Sequence, residues 1–226
     1  MARANLAVEP IADSALALAR RTVEGEGTVG DPEADTLLFV SAGSGSITLG
    51  DETGALAAGR AALVLAGEEA SVVADASLEL VVVTVGPDVD RHAPLGPREL
   101  VSSLDKGGPQ QASGARSFQI LFDATNGSTR ATLFAGFLPS GKAPWHYHLY
   151  DEIVFVPEGP ARLHVGETTE ELAARSAFRL RPREVHIVEN TSSVRELTVI
   201  GIFTPAGSPS AAYLASDVVA ASPFVG

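Results

Sequence analysis

Two imidazoles and a carboxylate fall within seven positions of the stretch "GKAPWHYHLYDEIVFVPEG", Gly141 to Gly159, although the 226-residue chain holds five histidines in all. His146 and His148 are separated by one residue, and Glu152 follows four residues after His148. In an extended strand, residues i and i+2 project to one face. The two imidazoles then stand ~7 Å apart along the chain on one side. Glu152 opens an apolar, strand-like run and can fold back toward them. A third imidazole, His186, stands in "LRPREVHIVEN". Three neutral nitrogens and one carboxylate suit one divalent first-row metal, Fe, Mn, Ni, Co or Zn, with positions open for water or substrate. Because protonated imidazole cannot ligate, metal binding is expected to weaken as pH falls through ~6.5.

The elements that would position these groups are strands. Short β-branched or aromatic runs recur, among them "LLFV", "SITL", "ELVVVTV", "FQILF", "ATLFAGFL", "EIVFV" and "ELTVIGIF", punctuated by Gly, Pro, Asp and Ser. The pattern predicts an all-β sandwich or barrel. Asp90 to Arg116 lacks it and reads as a linker with a helical turn near "PRELVSSL".

An internal repeat sets the organisation. Slid by 116 residues, Thr36 to Ala74 falls on Glu152 to Asn190 without a gap. Phe39, Val40, Gly43, Gly50, Thr53, Leu56, Glu68 and Val72 meet identical residues, and upstream Ala15, Ala19 and Gly25 meet Ala131, Ala135 and Gly141. Two copies of one fold are expected: an N-terminal domain over 1–90, a linker over 91–113 and a C-terminal domain over 114–226. The repeat also converts "DSALALARR", helical by composition, into a strand over Ser14 to Val23, because its partner "RATLFAGFL" is one. In the first copy the positions of His146, His148, Glu152 and His186 hold Gly30, Pro32, Thr36 and Ala70. The first copy therefore offers no ligand set, and its expected role is structural.

These residues resemble the cupin superfamily. Its first motif is matched by Gly141, His146, His148, Glu152 and Gly159, with one residue fewer after the first glycine. Its second motif matches at His186 and Asn190, whereas Arg175, Arg181 and Arg183 replace a glycine, a proline and a glycine. The resemblance implies two tandem jelly-roll β-barrels, a bicupin, with a single metal in the second. It implies a metal-dependent enzyme on a small metabolite, of dioxygenase or isomerase/lyase type. The alternative is a non-catalytic module that binds a small ligand or a metal; a storage or structural protein is the third reading. The resemblance also implies a homodimer paired through sheet edges.

Further residues bear on the chemistry. Glu152 and His164, which alternates with Leu163 and Val165, are the candidates for a catalytic acid or base. Arg162, Arg179 and Arg181 would hold an anionic substrate if their face were the barrel interior, or else form a solvated outer face. Trp145, Tyr147 and Tyr150 can frame a cavity mouth or pack beside the barrel. The tail from Pro205 to Gly226, small and apolar, is expected to pack across a barrel or a partner. A formal net charge of −12 argues against a nucleic-acid partner. The absence of cysteine excludes disulfides and thiolate ligands. No apolar run has the length of a membrane span or a signal-peptide core, so a soluble, cytoplasmic protein is the expectation.

Overall fold

The computed structural model describes residues 4–5, 13–112 and 115–214. Among these residues every helix or strand element is a strand, so the molecule is all-β, as the alternating runs require. The chain divides into two compact units, one of Met1–Gly108, Leu121–Leu133 and Thr204–Gly207, the other of Pro109–Ile120, Phe134–Phe203 and Ser208–Gly226.

The first eight strands are β1 Ala4–Asn5, β2 Leu16–Val23, β3 Glu26–Val29, β4 Asp35–Leu49, β5 Glu52–Ala57, β6 Arg60–Val64, β7 Ala70–Val85 and β8 Val101–Ser103. They form one sheet in the order β1-β3-β7-β4-β6-β8, with β2 also on β7 and β5 on β4. Apolar residues two apart on β4 and β7, such as Leu38 and Val40, Val72 and Ala74, Leu80 and Val82, enter one buried cluster. Gly43 sits where the β4–β7 register shifts. Its φ is +86°, and a Cβ there would lie 2.0 Å from the Ser77 carbonyl oxygen, so only glycine fits.

The remaining strands are β9 Gln110–Gln111, β10 Ser117–Phe122, β11 Thr132–Leu138, β12 Gly141–Lys142, β13 His146–Tyr147, β14 Asp151–Val156, β15 Ala161–Val165, β16 Thr168–Leu172, β17 Ser176–Leu180, β18 His186–Asn190, β19 Leu197–Thr204 and β20 Tyr213–Leu214. They make two six-stranded sheets, β17-β14-β19-β11-β10-β9 and β16-β15-β18-β13-β20, with β12 also on β18. Val154, Val156, Leu163, Leu180, Val188 and Val199 belong to the core of this unit.

Strands recur at the spacing seen in the sequence: β4 and β14 start at Asp35 and Asp151, β7 and β18 at Ala70 and His186, and β6 and β17 cover Arg60–Val64 and Ser176–Leu180. The strand expected over Ser14 to Val23 is β2. The helical turn expected near Pro97 to Leu104 is absent. Val101–Ser103 is instead a strand paired antiparallel with β6, and the Leu63 amide donates to the Leu100 carbonyl at 3.1 Å. Ladder bonds offered by the β6 edge outweigh the weak local preference for a turn of helix.

Candidate metal centre

His146 on β13 pairs in register with His186 on β18, which places both side chains on one face of their sheet. His148 follows two residues after His146 on the same segment. Glu152 comes from the other sheet, on β14, in register with Leu180 of β17. Imidazole centroids lie 4.4 Å apart for His146 and His186, 5.0 Å for His146 and His148 and 5.2 Å for His148 and His186. One donor atom from each of the three lies within 4.8 Å of the others. Nε2 of His148 is 3.6 Å from Oε2 of Glu152. All four residues are buried.

Backbone carbonyls set the ring orientations. Nδ1 of His146 lies 2.8 Å from the Pro144 oxygen, and Nδ1 of His186 lies 2.8 Å from the Glu184 oxygen. A carbonyl only accepts, so Nδ1 carries the proton and Nε2 keeps its lone pair for a cation. His148 stacks on Tyr150 at 4.5 Å, and Tyr150 stacks on Phe203 at 3.8 Å. Gly201 leaves room beside Glu152 and Phe134: a Cβ there would come 2.3 Å from the Phe134 ring and 2.9 Å from Oε1 of Glu152.

Electrostatics keep the histidines neutral and the carboxyl protonated when no cation is bound. Burial, then the proximity of His186 and Arg116, pushes His146 down to about 2. His148 is pushed down to about 3 by burial and His186, and His186 is also lowered, chiefly by burial. Glu152 is pushed up to about 8 by burial, which Arg116 partly opposes. The pH expectation drawn from free histidine is therefore corrected. His146 and His148 stay deprotonated far below ~6.5 and His186 is shifted in the same direction, and Glu152 is the group whose proton would compete with a cation near neutrality. Oε2 of Glu152 is a buried oxygen with no hydrogen-bond partner. Such an atom carries a desolvation cost that a cation would relieve. The set thus fits a divalent metal: three lone pairs and one orphaned carboxylate oxygen, converging and shielded from water.

The second motif's departures are resolved in the backbone. Arg175 and Arg183, where the family pattern has glycine, adopt φ of 68° and 66°. The left-handed turn is kept without the residue that makes it easy. Its purpose at Arg183 is visible: the amide donates to the His148 carbonyl at 2.6 Å, tying the loop before His186 to the His148 segment. Asn190 is no ligand. Its Nδ2 donates to the Leu138 and Arg195 carbonyls at 3.0 and 2.7 Å, and its Oδ1 accepts from the Ser192 amide at 2.9 Å.

The cluster opens into a cavity of about 90 Å³. Arg116, Phe118, Phe134 and Tyr150 line it beside the four candidate ligands. The sequence reading missed Arg116, which lies at the end of the strandless stretch. The available signal was that Arg116 stands two residues before Phe118 at a strand start, where alternate residues share a face. Pro209, Ser210 and Ala212 also line the cavity, and β20 pairs with β13 through His146–Leu214 and Tyr147–Tyr213. Ser208 to Leu214 of the tail therefore belong to the second unit, whereas Pro205 to Gly207 belong to the first; the expectation for residues 215–226 lies outside the described residues.

Other candidates are placed elsewhere. His164 is in register with Ile187, one position from His186, and so projects from the opposite face of the sheet. Its Nδ1 lies 2.9 Å from Oγ1 of Thr169 and its Nε2 2.7 Å from Oε2 of Glu189. The structure does not bring His164 to the cluster, because strand neighbours alternate. Arg179 alternates with Leu180 and makes a two-point bond to Asp151 at 2.8 and 2.9 Å. Arg162 pairs with Glu171 at 2.5 Å, and Arg181 is exposed. None of these three arginines lines the cavity. Tyr147 stacks on Tyr213 at 5.3 Å, and Trp145 meets His164 edge-on at 6.5 Å.

Comparison with known proteins agrees with this geometry. The cupin domain family matches residues 133–203, the segment that contains all four candidate ligands. No curated protein sequence matches the chain. Among solved structures, AerE from Microcystis aeruginosa superposes with a TM-score of 0.70 at 13% identity, covering 84% of this chain and 88% of that one. Bacillus subtilis oxalate decarboxylase gives 0.73 at 16% identity, with 93% and 74% covered; its Mn(II) centres are the subject of one such structure. A Pseudomonas aeruginosa protein described as glyoxylate-induced gives 0.72 at 16%, with 87% and 78% covered. At these identities the likeness concerns the fold, which is that of a β-barrel cupin. Among the described residues no helix is long and apolar enough to cross a membrane.

Proposed function

We propose that the chain is a bicupin enzyme that acts on a small metabolite at one divalent transition metal, held by His146, His148, Glu152 and His186 in the second cupin domain. The convergence of three buried imidazoles with the unpartnered Oε2 of Glu152 carries this reading. The first domain is the degenerate copy. Thr36, at the position of Glu152, is buried with an unpartnered hydroxyl, and one neutral oxygen cannot hold a cation against water.

A bound divalent metal supplies Lewis acidity or, if it is iron, oxygen chemistry of dioxygenase type. The chain's own residues do the rest. Pro144 and Glu184 carbonyls hold the two imidazoles with Nε2 inward. The Phe134, Tyr150 and Phe203 rings form an apolar wall that limits water around Glu152. Glu152, pushed up to about 8 by burial, would have to lose its proton to hold a cation, and is also the candidate group for taking a proton from a substrate. Lyase chemistry is supported by the oxalate decarboxylase neighbours; dioxygenase chemistry rests on the superfamily resemblance alone. The protein is expected to act as a soluble, cytoplasmic homodimer.

Elemental analysis of purified protein, followed by oxygen-uptake and product assays on a panel of small metabolites, tests the reading. Metal at one per chain with turnover of any substrate supports it. Metal without turnover across the panel, with ligand binding retained, would favour the non-catalytic binding module.

A further inference from the structure

We infer that the strap formed by residues 208–214 belongs to the metal centre: it closes the cavity, and its Ala211 carbonyl is the positioning acceptor for the His148 ring. This rests on the metal reading above and adds to it the element that couples metal uptake to closure. Pro209, Ser210 and Ala212 line the cavity, whereas Ser208, Ser210, Ala211 and Tyr213 are exposed. The strap is thus a single layer between the cluster and water. Its ties are few. It pairs with β13 through His146–Leu214 and Tyr147–Tyr213, the Tyr147 and Tyr213 rings stack at 5.3 Å and 14°, and the Ala211 amide donates to the Ser208 carbonyl at 3.0 Å. A two-residue edge strand opens at low free energy while the core stays folded.

The third imidazole shows what the strap does. His146 and His186 each have a carbonyl behind them, Pro144 and Glu184, at 2.8 Å from Nδ1. His148 does not: its Nδ1 is buried without a hydrogen-bond partner. Its Nε2 faces Oε2 of Glu152 at 3.6 Å, so Nδ1 is the nitrogen turned away from the carboxylate. Burial and then His186 lower the proton affinity of this ring, and the Ala211 carbonyl opposes them. The strap therefore brings an acceptor to the one imidazole of the three that lacks it, and stops short of hydrogen-bond geometry. A buried N–H left unpaired costs about 1–3 kcal/mol, so strap and ring both gain when the contact is completed. Ligation through Nε2 requires the proton to sit on Nδ1, and the N–H of a ligating ring donates more strongly. Metal uptake then favours the closed strap, and by linkage the closed strap raises metal affinity by the same factor.

The test uses the full chain with Tyr213→Ala, which removes the stack that anchors the strap, and Tyr213→Phe, which keeps it. Tyr213 is 47% exposed, so its truncation leaves the core intact. Zn(II) affinity is measured by competition with a chelator. Nuclear magnetic resonance of the histidine ring nitrogens reports which nitrogen carries the proton in metal-free protein. Hydrogen exchange of residues 208–214 is followed with and without Zn(II). Tyr213→Ala is expected to weaken Zn(II) binding on the order of 10-fold, the scale of losing a partner behind a ligating imidazole. It is also expected to shift the His148 proton off Nδ1 while His146 and His186 keep theirs. Tyr213→Phe is expected to match the wild type in both. Zn(II) is expected to slow exchange of residues 208–214 in the wild type, again on the order of 10-fold, and to slow it less in Tyr213→Ala. Zn(II) affinity unchanged in Tyr213→Ala, or exchange of the strap indifferent to Zn(II), would overturn the inference. So would equal changes at all three imidazoles, which a general loss of packing gives. If the wild type binds no metal, the metal reading fails by itself and the ring nitrogens of metal-free protein decide: a change confined to His148 in Tyr213→Ala upholds the role of the strap, and no change there overturns it.

Discussion

Glu152 lies on β14 with Oε2 buried and unpartnered, 3.6 Å from His148. Because burial raises its proton affinity to about 8, a cation must displace a proton from it at neutral pH. Metal affinity is therefore expected to fall as pH drops below about 8, by up to tenfold per unit. Titrations of metal at a series of pH values, with proton release followed in weak buffer, check this. An onset near ~6.5 would return the control to histidine. Glu152→Gln should bind metal more weakly and lose the proton release. His148→Ala and His186→Ala should each abolish or greatly weaken the single metal per chain while the fold persists, because the second unit has an apolar core of its own. Elemental analysis and far-UV dichroism read both effects.

Turns and loops hold these residues at the element scale, and two of them contain a conformation their residues do not favour. Arg183, at φ 66°, pays for its left-handed turn with strain of about 1–2 kcal/mol. Arg183→Gly relieves that strain but gives the unfolded chain more freedom, a loss of about 0.4–1 kcal/mol. The net expectation is a gain of about 0 to 1.6 kcal/mol, read as a higher denaturation midpoint at unchanged slope; a lower midpoint would show that the arginine side chain contributes more than the strain costs. In the first unit, Arg130 is buried with Asp35 at 3.4 Å and donates to the Glu33 carbonyl at 2.9 Å. Arg130→Met leaves Asp35 buried without its counter-charge and is expected to cost about 3–5 kcal/mol, measured by urea unfolding.

For the whole molecule, the cluster links stability to pH and to metal. His146 and His148 have folded-state proton affinities well below the free value, at about 2 and about 3. The unfolded chain then binds more protons than the native one below ~6.5. Their contribution is fully present above that pH and is lost as pH falls toward the folded values. The metal-free protein should accordingly lower its melting temperature progressively from pH 7 toward pH 4. Glu152 acts in the opposite direction: its raised affinity favours the native state at low pH, and this is lost as pH rises through about 8. Free metal at one hundred times its dissociation constant should add about 2.7 kcal/mol, and no such gain should appear in His186→Ala.

Much of this was legible in residue order alone. The all-β class followed from the alternation of apolar runs, and the recurrence of strands from identities spaced 116 residues apart. Three of the histidines and Glu152 stood out because a strand puts i and i+2 on one face and because donor types combine by known coordination rules. Position along the chain could not tell which face of a sheet turns inward. His164 is one residue out of phase with that requirement through its partner Ile187, and Arg179 likewise pairs outward with Asp151; both depend on cross-strand register that only the folded sheet supplies. Arg116 was invisible for a different reason. It precedes His146 by thirty residues, and a lone arginine beside a strandless stretch has no local pattern until β10 folds against the ligand-bearing strands. Proton affinities belong wholly to the tertiary structure, because they arise from burial and from charges that approach only after folding.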